Sequence, residues 1–213
     1  MQVVMKKICC CTGHRPKGFA WDYGDKTLRA HKDYLGYLAY LLEEFINDGY
    51  EQFVCGGAIG ADMNFAEAVI TLRKKYPQIR LEIVVPCKNQ DRKWRETDKE
   101  RYQFILQQAD ETNVLFSRYT PWCYDKRNKY MVDKSNLVLV VWNGTKTGGT
   151  YQTKKYAEKK GKELEYVMLP PKDADLETQF HFFIENGVPL EERKRKRERI
   201  KKVLEMMRKN EEE

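Results

Sequence analysis

Three short stretches of this chain carry residue types suited to holding an anion. The first is Gly56-Gly57-Ala58-Ile59-Gly60-Ala61-Asp62, which follows the apolar run Phe53-Val54-Cys55. Ala61, Phe65, Ala68 and Leu72 then recur at helical spacing, so the glycines lie at a strand-to-helix turn. Glycine lets the backbone bend sharply there and lets a ligand come close to it. The amides at a helix start point outward and carry the positive end of the helix dipole. The second stretch is Thr12-Gly13-His14-Arg15-Pro16, where Arg15 supplies a fixed cation able to grip a phosphate with two bonds. The third is Gly148-Gly149-Thr150, a second glycine-rich helix start whose Thr150 hydroxyl serves as an extra donor or as a helix cap.

Each of these residues also has a plainer reading. Gly56, Gly57 and Gly60 serve equally to make a tight turn. Arg15 is also an ordinary loop arginine. His14 has the chemistry of an acid or base near neutral pH, and equally that of a loop histidine bonded to backbone. Asp62 repels a phosphate, so its roles are to cap its own helix or to accept from a ribose hydroxyl. Arg127 opens a later helix, where it reaches a ligand phosphate or pairs with Asp133. Trp142, at a strand end, is the first choice to stack on a base. Phe19, Trp21, Tyr23, Trp94, Trp122 and Tyr124 sit in loops on the same side, most of them as loop core.

The elements that must position these residues alternate. Strands are predicted at 3–11, 53–55, 80–85, 112–117, 137–142 and 164–169, with helices between them. That pattern predicts an α/β fold: a Rossmann-like, doubly wound, mostly parallel sheet with helices on both faces. The runs Ile83-Val84-Val85 and Leu137-Val138-Leu139-Val140-Val141 are continuously apolar, as strands buried on both faces should be. Loops leaving the strands are long and rich in Gly, Arg, Trp and Tyr, whereas those returning are short. In an open parallel sheet, ligands bind at the carboxyl ends of strands, so the irregular length lies where a site belongs.

Composition narrows the class. The chain has 213 residues, 41% of them apolar, enough for one domain with its own core. No apolar stretch is long enough to span a membrane, and the N-terminus lacks the apolar centre of a signal peptide. The six cysteines form no C-x-x-C pair, and Cys9, Cys10 and Cys11 alternate across a strand. A reducing cytoplasm, no structural zinc or other metal, and no cofactor are therefore expected. The net charge is +7, but residues 191–213 hold ten Lys/Arg and seven Asp/Glu and so supply +3 of it. The body is only mildly basic, which suits a small anion better than nucleic acid. Several enzyme signatures are missing: G-x-G-x-x-G at the first turn, G-x-x-x-x-G-K-[ST], G-x-S-x-G and H-E-x-x-H.

Four motifs in order carry a resemblance. They are Thr12-Gly13-His14-Arg15-Pro16, the turn from Gly56 to Asp62, Arg127-Asn128-x-x-Met131-Val132-Asp133, and Trp142-Asn143-Gly144 leading to Gly148-Gly149-Thr150. Together they resemble the YpsA-like branch of the SLOG superfamily, whose fold is shared with DprA and the LOG phosphoribohydrolases. The resemblance covers roughly residues 3–185 and implies a domain that binds a nucleotide or nucleotide-derived ligand. The expected site joins Thr12, Gly13, His14, Arg15, Gly56, Gly57, Ala58, Gly60, Ala61, Asp62, Arg127, Trp142, Gly148, Gly149 and Thr150.

Three functions follow from that resemblance. The first is binding or sensing of such a ligand. The second is hydrolysis of an N-glycosidic bond, as in the LOG relatives, with Asp62 as the candidate catalytic group. Against it, Gly148-Gly149-Thr150-Tyr151-Gln152-Thr153 lacks the acidic residue of P-G-G-x-G-T-x-x-E, and glycosidic cleavage needs a carboxylate to stabilise an oxocarbenium-like state. The third, DNA binding in the manner of DprA, fits the modest charge poorly. Residues 1–187 form the domain and 188–213 a charged helical tail. The thin apolar stripe of the tail, Ile200, Val203, Leu204 and Met207, could dock on the body or on another subunit of a homo-oligomer.

Overall fold

The computed structural model describes residues 6–171. The helices expected over 176–184 and 191–209, and the division at 187/188, lie outside the described residues. Six strands alternate with five helices: β1 (Lys7–Gly13), α1 (Arg29–Asn47), β2 (Tyr50–Cys55), α2 (Ala61–Arg73), β3 (Arg80–Val85), α3 (Glu96–Gln108), β4 (Glu111–Val114), α4 (Cys123–Lys134), β5 (Leu137–Trp142), α5 (Gly148–Lys159) and β6 (Glu163–Met168). All the pairings are parallel, in the order β4-β3-β2-β1-β5-β6. The fold is the α/β Rossmann-like arrangement that the strand–helix alternation predicts.

Strand periodicity divides the core into two layers. Cys9, Cys11, Phe53, Cys55, Leu81, Ile83, Leu139 and Val141 face α1, α2 and α3. Cys10, Val54, Val84, Val138 and Val140 face α4 and α5 with Met131, Val132 and Ala157. Successive strand residues point to opposite faces, so the three adjacent cysteines separate as expected. Each fully buried Phe, Leu or Ile contributes roughly 1.5–3 kcal/mol, and they come from the strands (Phe53, Leu81, Ile83, Leu139) and from the helices (Leu38, Leu41, Leu42, Phe65, Ile105). The face toward α4 also holds a buried carboxylate. Glu82 accepts from Lys134 Nζ at 2.5 Å, Gln52 Nε2 at 2.6 Å and Asn113 Nδ2 at 2.8 Å, so its charge is paired and its oxygens satisfied.

Several boundaries shift from the sequence expectation. β4 ends at Val114, where its register with Val85 of β3 runs out. α3 opens at Glu96, inside the loop expected over 87–98. α5 opens at Gly148, so its glycines form the first turn of the helix rather than the loop before it.

Strand order reverses between β1 and β5. From β1 the chain moves one way with its helices on one face. From β5 it moves the other way, with α5 on the opposite face. The crevice at such a switch point, outside the strand carboxyl ends, is where open sheets bind ligands.

The long loop after β1 is anchored, not free. Phe19, Trp21 and Tyr23 are buried and pack edge-on or tilted against one another and against Tyr34. The Tyr23 hydroxyl donates to the Gly60 carbonyl at 3.1 Å and accepts from Arg101 Nη1 at 3.0 Å. Trp21 Nε1 donates to His31 Nδ1 at 3.1 Å, which requires a neutral imidazole. Burial, followed by the nearby Lys26 and Arg101 cations, pulls the His31 pKa down to about 4. An unfolded histidine binds a proton below about pH 6.5 while folded His31 stays neutral, so stability falls as pH drops from 6.5 toward 4. Urea unfolding of the parent should therefore lose about 1–2 kcal/mol between pH 7 and pH 5 that His31→Gln does not lose. Equal losses in both proteins would exclude His31 as the source.

Candidate functional site

A cavity of about 550 Å³ opens at the β1/β5 switch point, within the range of small-molecule sites. Four segments line it. The end of β1 and its loop contribute Thr12, Gly13, His14, Arg15 and Lys17. The β2–α2 turn contributes Ala58, Ile59 and Asp62, and α4 contributes Tyr124, Arg127, Asn128 and Met131. The β5–α5 segment contributes Asn143, Thr145, Thr147, Gly148, Gly149 and Thr150.

Close backbone packing brings these segments together. A Cβ on Gly13 would lie 2.3 Å from Ala61 Cβ and 2.8 Å from Val141 Cβ, so only glycine lets β1 end against α2 and β5. Gly60 has φ +113°, a conformation open to glycine, and its Cβ would lie 2.4 Å from the His14 carbonyl oxygen. Ala61 N–H donates to that same carbonyl at 3.0 Å. The first two sequence motifs are thus bonded to each other.

The deepest polar feature is a pair, Asp62 and Arg127. Both are buried, Arg127 only 5% exposed, with Arg127 Nη1 3.7 Å from Asp62 Oδ2. A Cβ on Gly56 would lie 1.3 Å from Arg127 Nη1, so the bare glycine makes room for the guanidinium. Asp62 Oδ2 also accepts from Ala58 N–H at 3.3 Å, so the carboxylate braces the turn ahead of its own helix. Burial pushes the Asp62 pKa above the usual carboxylate value, while Arg127, Arg15 and the Ala58 and Gly56 amides act against it. Arg127 Nη1 has no hydrogen-bond partner, and neither does His14 Nε2. Burial lowers the His14 pKa, with a hydrogen bond to Asn143 working the other way, so its imidazole is neutral at pH 7.

Opposite this pair stands the first turn of α5. Gly148 has φ +81°, and a Cβ on Gly148 or Gly149 would meet nothing within 4 Å. Helix geometry leaves the first amides of the turn without intrahelical acceptors, and here no side chain caps them. Arg15 and Lys17 are exposed at the rim. Bare amides, two rim cations and a buried guanidinium thus line one space, in which Asp62 is the only carboxylate among the described residues.

Several expected residues have other tasks. Gly56, Gly57, Gly60 and Ala61 do not line the cavity. They support it from behind. Gly57, at φ +61°, faces the Tyr102 ring and Ile83 Cγ2, where its Cβ would come within 2.9 and 3.0 Å. Trp142 does not line the cavity either. Strand alternation turns it to the α5 face, where it stacks on Tyr151 at 6.4 Å and donates to the Thr145 carbonyl. Arg127 pairs with Asp62 and not Asp133, whose carboxylate binds Tyr156 and Lys160. The site also gains residues that sequence reasoning did not assign to it: Lys17, Asn128, Asn143, Thr145 and Thr147. Asn128 and Asn143 stood inside quoted motifs, which was the available signal. Among the described residues, Tyr124 is the one Phe, Tyr or Trp that lines the cavity.

The two glycine turns should respond differently to a methyl group. Gly57→Ala combines left-handed backbone with a crowded Cβ and should cost about 2 kcal/mol of stability. Gly149→Ala, in open space, should stay within about 0.5 kcal/mol of the parent. Urea unfolding of both variants checks this, and equal losses would contradict the placement of the turns.

Comparison with known proteins agrees with the four motifs. The profile described as the YspA SLOG family matches residues 9–171. A UPF0398 protein of Bacillus cereus strain G9842 is 31% identical over 127 residues, covering 59% of this chain and 69% of the relative. A UPF0398 protein of Bacillus thuringiensis strain Al Hakam matches to the same extent. The profile match contains β1 from Cys9 onward, the other five strands entire and every residue that lines the cavity, and the chain belongs to the YspA SLOG family.

Proposed function

We propose that the switch-point cavity binds a phosphorylated, nucleotide-derived small molecule, and that the protein acts as a binding or sensing module for it. The observation that carries this reading is Arg127, a buried guanidinium whose Nη1 makes no hydrogen bond, in a cavity lined also by the uncapped first turn of α5. A buried cation without a hydrogen-bonded anion is costly, and an incoming phosphate oxygen would relieve that cost. The first-turn amides of α5 would take the phosphate from the other side, with Arg15 and Lys17 at the rim. Asp62 keeps ionic contact with Arg127 and has capacity left to accept from a sugar hydroxyl. Family membership supports a nucleotide-related ligand without naming it. The partner in this reading is the small ligand, not nucleic acid or a membrane surface. Among the described residues no helix is long and apolar enough to cross a membrane. All six cysteines are free and buried, which fits a reducing cytoplasm as the proposed location.

One observation favours hydrolysis as the second reading. Asp62 is a carboxyl of raised pKa inside the cavity, a property common among catalytic acids. Its contacts with Ala58 and Arg127 give it a structural task as well, and so the binding reading is preferred.

Calorimetry with AMP, ADP, ADP-ribose and inorganic phosphate tests the proposal. At least one of these should bind, and the matching nucleoside without phosphate should bind at least tenfold more weakly. Arg15→Gln, at an exposed position, should weaken the phosphorylated ligand roughly tenfold, the worth of one charge-assisted bond. Nucleoside binding as tight as nucleotide binding would overturn the anion site. Chromatography of nucleotide incubated for a day separates the two readings. The binding reading expects no free base, whereas base release that is lost in Asp62→Asn would establish hydrolysis.

A further inference from the structure

The two sides of the anion site are joined by a directed hydrogen-bond chain through α4 and α5. Arg127 Nε donates to Asn128 Oδ1 at 2.8 Å. Asn128 Nδ2 donates to Thr153 Oγ1 at 2.9 Å, and Thr153 Oγ1 donates to the Gly149 carbonyl at 2.8 Å. At its other end, Arg127 meets Asp62. Every group in the chain has one workable polarity. Arginine only donates, so it must meet the carbonyl oxygen of Asn128. The Asn128 amide nitrogen then faces Thr153, whose single proton is left for Gly149. Flipping the amide would set donor against donor at Arg127.

Thr153 is buried at 4% exposure and does not line the cavity. A threonine hydroxyl bonded to the carbonyl four residues back is common inside helices and by itself means little. Here the same hydroxyl also accepts a bond from a neighbouring helix, and the carbonyl it holds belongs to Gly149 in the anion-facing turn. We propose that Thr153 is a positioning residue: through Asn128 it ties the Arg127 guanidinium to the first turn of α5, so that both sides of the anion site are held as one unit. The proposal rests on the anion-site reading above. A site whose donors are held in advance loses less freedom on binding, and the tie contributes to affinity in that way without touching ligand.

Thr153→Val keeps the shape and removes the hydroxyl, whereas Thr153→Ser keeps the hydroxyl. The probes are inorganic phosphate, which needs only the anion site, and AMP, with dissociation constants read by calorimetry and thermal midpoints measured without ligand. Thr153→Val should bind about fivefold to tenfold more weakly, and Thr153→Ser should bind like the parent. Asn128→Ala breaks the chain at its centre, so adding Thr153→Val to it should cause no further loss of affinity. Thr153→Val binding as tightly as the parent, equal weakening by Val and Ser, or additive losses in the double variant would each overturn the proposal. These outcomes leave the anion reading intact. A parent protein bound by neither probe, nor by ADP or ADP-ribose, would overturn both.

Discussion

A guanidinium lodged inside the protein against a bare glycine is the constraint on which the site depends. Arg127 occupies the volume that a side chain at position 56 would need, so Gly56, Asp62 and Arg127 form one arrangement. Asp62 offsets the charge and braces the turn through Ala58 N–H, and burial pushes its pKa above the usual carboxylate value. The distance of 3.7 Å is that of an ion pair rather than a close hydrogen bond, and one guanidinium nitrogen remains uncommitted. A buried cation only partly compensated is a poor device for stability and a good one for gripping an anion.

Topology places that cation. β4 and β5 lie on opposite sides of β1 and β2, so the connection between them must cross the sheet, and α4 is that crossover. The crossing sets the first half of α4 over the strand ends, bringing Tyr124, Arg127 and Asn128 to the switch point. α5 then starts beside β1 on the same face as α4, which brings the Asn128–Thr153 bond within reach. On the other face, the aromatic loop after β1 packs around Tyr34 and is pinned to Gly60 through Tyr23. The loop that continues from the cavity wall is therefore packed and hydrogen-bonded where the sequence shows only a long loop.

Much of the fold was legible because it depends on local periodicity. Apolar runs such as residues 137–141 and the glycine turns mark strands and their exits without reference to anything distant. The three motif stretches all reach the carboxyl ends of the strands, and Thr12 to Arg15, Ala58, Asp62, Arg127 and Gly148 to Thr150 line the cavity there. What local pattern could not show is which neighbour each group meets. Gly57 and Trp142 sit in suitable sequence positions, but Tyr102 and Tyr151 fill the space beside them.

The amino-acid sequence by itself determined the alternation of strands and helices, the separation of Cys9, Cys10 and Cys11 onto two faces, and the edge where the irregular loops gather. These follow from backbone geometry and from the period of side chains along an element, which are properties of adjacent residues. The tertiary structure alone decided that Gly56 makes room for Arg127 and that Asp62 is its partner. It also decided that Asn128 and Thr153 join α4 to the first turn of α5. Those contacts link residues 62 and 127, and 128 and 153, and they exist because a crossover helix was laid over a switch in strand order. Side-chain direction across such a gap is set by packing of whole elements, which no short stretch of sequence encodes.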